Sequence, residues 1–266
     1  MILNIFLLIY LAFMWYKNLM KSIIKLILNK LSRLIYYIHR TLNYITPDEI
    51  KFKKKSELKL KLEKELLDET YNYFKKYFEK SLIFNDRSDR NEIRKYAIQS
   101  SLLNDKNQEY YYLEFGVWQG KSSNFFSKFI NKLYCFDSFE GLKEDWIGTS
   151  YSKGFFNLDK KIPNLNSNVQ PIVGWVEDTL EDFLKKHNPK INFVHLDMDT
   201  YSPTKFTLEK IKPYLVKNSI IIFDEYYNYE GWREGEFKAL NEVFNEDEYK
   251  YKAFNVNGVQ TVIQII

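Results

Sequence analysis

The chain has 266 residues, 45% of them hydrophobic and 18% aromatic, with a formal net charge of +4; that length supports a substantial core and that composition excludes a disordered chain. Residues 1–65 hold 13 Lys/Arg against 5 Asp/Glu and the remainder 26 against 30, and a basic front on a mildly acidic body excludes a nucleic-acid-binding domain, whose positive patch would lie on the folded unit. The single cysteine, Cys135, excludes an intrachain disulfide and a cysteine-built metal site, and it points to a cytoplasmic location.

In chain order, Met1 to Tyr16 is apolar apart from Asn4, shorter than the ~20 residues of a spanning helix. Neither a positive leader nor a small-residue cleavage site marks a signal peptide. Ile23, Ile24, Ile27, Leu31, Leu34 and Ile35 then follow helical spacing among Lys25, Lys30 and Arg33. This pattern suits a helix on the cytoplasmic face of a membrane through residues 1–40, or one packed on the body or on a second copy in a homodimer; both readings are open. Thr46-Pro47-Asp48 is a turn signal, and Ser56 to about Lys80 reads as a helix striped by Leu58, Leu62, Leu66, Tyr73 and Tyr77. A polar break, Asn85 to Asp89, precedes a shorter helix over Glu92 to Leu103.

From Glu109 apolar strands alternate with amphipathic helices. Strands are expected at Tyr110 to Phe115, Leu133 to Phe136, Val169 to Val173, Asn192 to Leu196 and Ser219 to Phe223. Helices are expected at Ser122 to Ile130, Thr179 to His187, Thr204 to Tyr214 and Glu234 to Phe244. Two strands, Tyr249 to Asn255 and Gln260 to Ile265, close the chain as a hairpin around Asn257-Gly258. The expected fold is α/β: a Rossmann-like, doubly wound, mostly parallel sheet with one antiparallel strand near the C-terminus, preceded by N-terminal helices. The expected division is a front segment over 1–45, a helical extension over 46–105 and a ligand-binding domain over 106–266.

The first strand of that domain runs into Glu114-Phe115-Gly116-Val117-Trp118-Gln119-Gly120-Lys121-Ser122. The ending resembles a P-loop, but its glycines are one residue too close for that phosphate cradle. The G-x-G-x-x-G dinucleotide spacing is absent too. The loop fits the E-x-G-x-x-x-G pattern of class I methyltransferases, whose ligand has no phosphate. The second strand ends at Asp137, twenty-one residues after Gly116, where an acid can accept hydrogen bonds from both ribose hydroxyls of a nucleoside ligand.

Five strings in order, LEFGVWQGKS, YCFDSFEGL, GWVEDTL, VHLDMDTYSPT and FDEYYNYEGW, resemble the macrocin O-methyltransferase family from about Asp89 to the C-terminus. The resemblance implies an S-adenosylmethionine-dependent enzyme that methylates a hydroxyl of a sugar-like or other small acceptor, a glycan or glycolipid included. It implies that Glu114, Gly116 and Gly120 border the methionine end of the cofactor and that Asp137 holds the ribose. Ser138, Trp175 and Val176 would then lie near the adenine. It also implies a divalent metal, Mg²⁺ by the hardness of carboxylate oxygens, on Asp199, Asp224 and Glu225, with Asp199 as candidate base. Glu225 departs from the family pattern, where Asp is expected. His195 reads as a satisfied structural histidine ahead of a base. For Tyr226, Tyr227, Tyr229 and Trp232, stacking on a sugar ring and a packed lid or dimer contact are both open. Other classes weighed are a glycosyltransferase using Asp197-Met198-Asp199, a P-loop phosphotransferase and a non-catalytic tethered protein.

Overall fold

The computed structural model describes residues 56–86 and 90–266, with Met20, Ile24, Leu28, residues 30–35, Tyr37 and Ile38 before them. Those earlier positions are helical and exposed. The apolar run Met1 to Tyr16 and the turn at Thr46-Pro47-Asp48 lie outside the described residues. Among the described residues no helix is long and apolar enough to cross a membrane.

Residues Lys61–Ile266 form one compact unit. Helix α1 (Glu57–Phe78) leads to a short strand β1 (Leu82–Phe84) and helix α2 (Asn91–Asn104). Then come β2 (Tyr111–Phe115), α3 (Lys121–Phe126), β3 (Leu133–Asp137), β4 (Val169–Val173) and α4 (Val176–His187). The remainder is β5 (Ile191–Leu196), α5 (Tyr201–Ile211), β6 (Leu215–Phe223), α6 (Glu236–Val243), β7 (Tyr249–Asn255) and β8 (Thr261–Ile265). Among the described residues eight strands form one sheet in the order β1-β7-β8-β6-β5-β2-β3-β4. Of these strands only β8 runs against its neighbours, β6 and β7, so the expected fold and its single antiparallel strand are those observed.

Strand alternation divides the core. Leu113, Phe115, Val194, Leu196, Ile221 and Phe223 face one layer with Phe74 of α1, Leu180 of α4 and Leu208 of α5. Tyr112, Phe193, Ile220 and Ile222 face the other with Ile93, Ala97 and Ile98 of α2 and Phe126 of α3. Both sides are covered, which is why the second half of β6, Ile220 to Phe223, reads as an unbroken apolar run.

Three features were not foreseen. Strand β1 pairs in parallel with β7, although three residues give no periodicity to read. Helix α3 stops at Phe126, four residues before the expected end, and the following turn is held by Asn168 Nδ2, which donates to the carbonyls of Ser127 and Ile130 at 2.8 Å each. The segment expected as an extension over 46–105 is integral from Lys61 onward, because α1 and α2 each cover a sheet face and β1 extends the sheet.

Candidate functional site

The chain steps from β2 to β3 and β4 on one side and from β5 to β6 on the other. A crevice therefore opens at the carboxyl ends of β2 and β5, where strand order reverses. Gly116 makes this junction possible: its φ is +88°, and an added Cβ would overlap the Asp197 carbonyl oxygen. The glycine thus serves the approach of two backbones. Gly120, φ +75°, faces Leu165 and Pro163 behind the loop.

Above the junction lies a cavity of about 520 Å³. It is lined by Gly116, Val117, Trp118, Asp137, Ser138, Trp175 and Val176 and by Asp197, Asp199, Thr200, Glu225, Arg90 and Arg94. Of the expected cofactor-binding residues, Gly116, Asp137, Ser138, Trp175 and Val176 line it, whereas Glu114 and Gly120 do not.

Asp137 organises the loop after β2. Its Oδ2 accepts the N–H groups of Val117 (2.7 Å) and Trp118 (2.8 Å), and Oδ1 accepts that of Phe139 (2.7 Å). Four acceptor positions on a carboxylate minus these three leave one for a ligand hydroxyl. The same bonds remove two loop N–H groups from any phosphate cradle, which speaks against the P-loop reading.

Glu114 is a correction. It is fully buried; Oε1 meets His195 Nδ1 at 2.9 Å and Oε2 accepts the Ser123 hydroxyl. Alternation is the cause: Leu113 and Phe115 face the α1 side, so Glu114 faces α3 and lies opposite its register partner His195. Its carboxylate is spent beneath the cavity instead of meeting a ligand. His195, also fully buried, reaches Asp224 Oδ1 through Nε2 at 3.4 Å. It is a structural bridge between two acids.

The acid cluster also differs from the expected set. Asp224 is fully buried and paired with Arg90 and with Arg94 Nη2 (3.0 Å), so it is not free to join Asp199 on a cation. The group whose carboxylate oxygens all lie within 4.8 Å is Asp197, Asp199 and Glu225. Consecutive residues leaving a strand point opposite ways, so Asp224 turns to α2 while Glu225 turns to the cavity. Glu225 Oε1 meets Arg90 Nη1 at 3.1 Å, and its Oε2 is buried without a hydrogen-bond partner among the described residues. Burial, reinforced by Asp197, pushes the carboxyls of Asp199 and Glu225 well above the ordinary range. Glu236, fully buried at the start of α6, is raised by burial as well and accepts the Glu225 N–H at 3.0 Å.

Arg90, Arg94 and Glu236 were missed because nothing in their local sequence marks them; α2 and α6 bring them in from distant parts of the chain. The aromatic run after β6 resolves mainly as packing. Tyr226, Tyr227 and Trp232 are at most 2% exposed and pack on Phe74 of α1. Of the four, only Tyr229 faces open space, in a second cavity that also touches Trp146, Asp199 and Thr200.

Residues 113–226 match a family described as a methyltransferase domain. No curated protein matches the chain. Among solved structures, the calicheamicin methyltransferase CalS11 superposes with a TM-score of 0.55 at 20% identity, over 80% of this chain and 95% of that one. An apo structure of CalS11, described as a TDP-rhamnose 3'-O-methyltransferase, gives 0.49 at 18% identity, over 82% and 99%. The O-methyltransferase NovP gives 0.48 at 18% identity, over 66% and 79%. The first likeness shows the Rossmann-like methyltransferase fold.

Proposed function

We propose that this chain, which carries an S-adenosylmethionine-dependent methyltransferase domain, methylates a hydroxyl of a small, sugar-like acceptor. The observation that carries the reading is one cavity lined both by Asp137, whose carboxylate keeps one free acceptor position, and by the clustered carboxyls of Asp197, Asp199 and Glu225. When bound, S-adenosylmethionine supplies a methyl group already activated on sulfur. Gly116, Val117 and Trp118 border its methionine portion, Asp137 Oδ1 accepts a ribose hydroxyl, and Ser138, Trp175 and Val176 flank the adenine. With that methyl donor in place, Asp199 would take the proton of the acceptor hydroxyl as its oxygen displaces sulfur from the methyl carbon, releasing the neutral thioether; burial raises the proton affinity of Asp199, in the direction a general base needs. Aligning the two reactants is worth ~7 kcal/mol or more in well-oriented cases.

A hard divalent cation such as Mg²⁺ would be held by Asp197, Asp199 and Glu225, whose oxygens converge beside Arg90 (3.1 Å from Glu225) and Arg94 (3.9 Å from Asp197) and where Glu225 Oε2 has no hydrogen-bond partner among the described residues. Such an ion would lower the pKa of a coordinated hydroxyl. The test is calorimetry with S-adenosylhomocysteine followed by turnover on hydroxylated acceptors. The native chain and Asp199→Asn should bind alike, while the variant loses methyl transfer by about 100-fold or more. A native chain that binds neither the cofactor nor its product would end this reading.

The basic, apolar front over residues 1–40 is proposed to hold the enzyme on an anionic membrane surface, where an acceptor joined to a lipid would be presented. Its support is the alternation of apolar and Lys/Arg positions. The full chain should sediment with vesicles containing phosphatidylserine and a chain lacking residues 1–40 should not. Equal sedimentation of both counts against it.

A further inference from the structure

A second cavity of about 520 Å³ meets the first at Trp146, Asp199 and Thr200. Its wall carries Glu144, Asp145, Asp199 and Glu234. Among the described residues its one cationic side chain is Lys238, whose Nζ is 2.7 Å from Glu234 and 4.8 Å from the centre of the Tyr201 ring. The cavity therefore keeps an excess of negative charge beside the candidate base.

Thr200 is an independent pointer to a ligand. It is 3% exposed, lines both cavities, and its Oγ1 is buried with no hydrogen-bond partner among the described residues. It occupies the N-cap position of α5 without a side-chain capping bond, although a threonine there ordinarily accepts the N–H of the second or third helical residue. Glu144, from the segment after β3, caps the helix in its place, its carboxylate accepting Ser202 N–H (2.9 Å) and Ser202 Oγ–H (2.7 Å). The Thr200 hydroxyl is thus left unpartnered on a residue at the junction, next in sequence to Asp199.

We propose that the second cavity seats the acceptor ring, that Thr200 Oγ1 hydrogen-bonds one of its hydroxyls, and that the acidic wall selects a hydroxylated ring carrying a protonated amine. A neutral ring ranks second, and one bearing a carboxylate or phosphate is rejected. An anion would enter a space already lined by carboxylates, whereas an ammonium gains from the same field. This inference rests on the methyl-transfer reading and narrows its substrate class.

The test uses the full chain saturated with S-adenosylhomocysteine and three probes, methyl glucosaminide, methyl glucoside and methyl glucuronide. Dissociation constants come from ligand-detected magnetic resonance. The glucosaminide should bind about tenfold tighter than the glucoside, with the glucuronide weakest. Asp145→Asn should narrow the gap between glucosaminide and glucuronide. Thr200→Val should weaken the two ligands that bind by about fivefold, and Thr200→Ser should restore them. All three variants should keep the native affinity for S-adenosylhomocysteine, which separates a lost contact from a lost fold. A glucuronide that binds as well as the glucosaminide, a Thr200→Val chain with native sugar affinity, or binding of none of the probes by a chain that still takes S-adenosylhomocysteine would each overturn the inference. Failure to bind S-adenosylhomocysteine would instead strike the methyl-transfer reading beneath it.

Discussion

At the scale of single residues, the position of a polar group in the sequence foretold its location better than its partners. Asp137 lies at the tip of β3 as the spacing required, yet most of its hydrogen-bonding capacity goes to the loop after β2. On the proposed reading it would act on a ligand twice, by direct contact and by holding Val117 and Trp118 in place. Asp137→Asn keeps the shape but loses the charge that strengthens these bonds. Bonds to a charged group contribute about 1.5–3 kcal/mol each, so S-adenosylhomocysteine should bind about 10–100-fold more weakly, as measured by calorimetry. Unchanged affinity would remove the ribose assignment. Glu114 shows the opposite outcome, since its register partner and the hydroxyl of α3 consume it before any ligand arrives.

At the scale of elements, α1 joins the domain through its second half. Leu58 and Leu62 remain exposed, whereas Thr70 and Phe74 are buried. Phe74, fully buried, packs on Tyr226, Tyr227 and Trp232, the residues that follow the acids of β6. Phe74→Ala should cost about 3–5 kcal/mol of stability by leaving a cavity among these rings, read as a lower denaturant midpoint with an unchanged slope. A loss below about 1 kcal/mol would mean that α1 is a peripheral attachment. Helix α2 contributes in a second way, because Arg94 Nη2 and the Arg90 side chain just before it neutralise Asp224. Both helices read in the sequence as ordinary amphipathic stretches, and periodicity says which face is buried without saying against what.

At the scale of the whole molecule, the buried acids couple stability to pH. Burial raises the carboxyls of Asp199, Glu225 and Glu236 well above their unfolded values. Where the folded pKa exceeds the unfolded one, the folded state holds the proton more tightly. The resulting stability is complete below the unfolded pKa and is lost as pH rises through the folded pKa. The midpoint of thermal unfolding in a chelator should therefore fall as pH rises from the ordinary carboxylate range toward neutrality and above. Mg²⁺ should offset the loss, most strongly at the alkaline end, where the acids are ionised and bind a cation best. A midpoint indifferent to Mg²⁺ across that range would argue against a cation on Asp197, Asp199 and Glu225.

The strand–helix alternation from Tyr111 onward, the single antiparallel strand and the acids at the strand tips were determined by the sequence alone. They rest on local periodicity and on the rule that parallel strands bring their carboxyl ends to one crevice. Only the tertiary structure decided that Asp197 replaces Asp224 beside Asp199, that Glu114 turns inward, that Gly116 makes room for a carbonyl, and that Thr200 is released from its cap. Each depends on which residue lies across a strand register or helix interface, from 58 positions away for Glu144 and Ser202 to 130 for Arg94 and Asp224. A chain shows its periods in one dimension; the partners that consume or free a polar group are chosen in three.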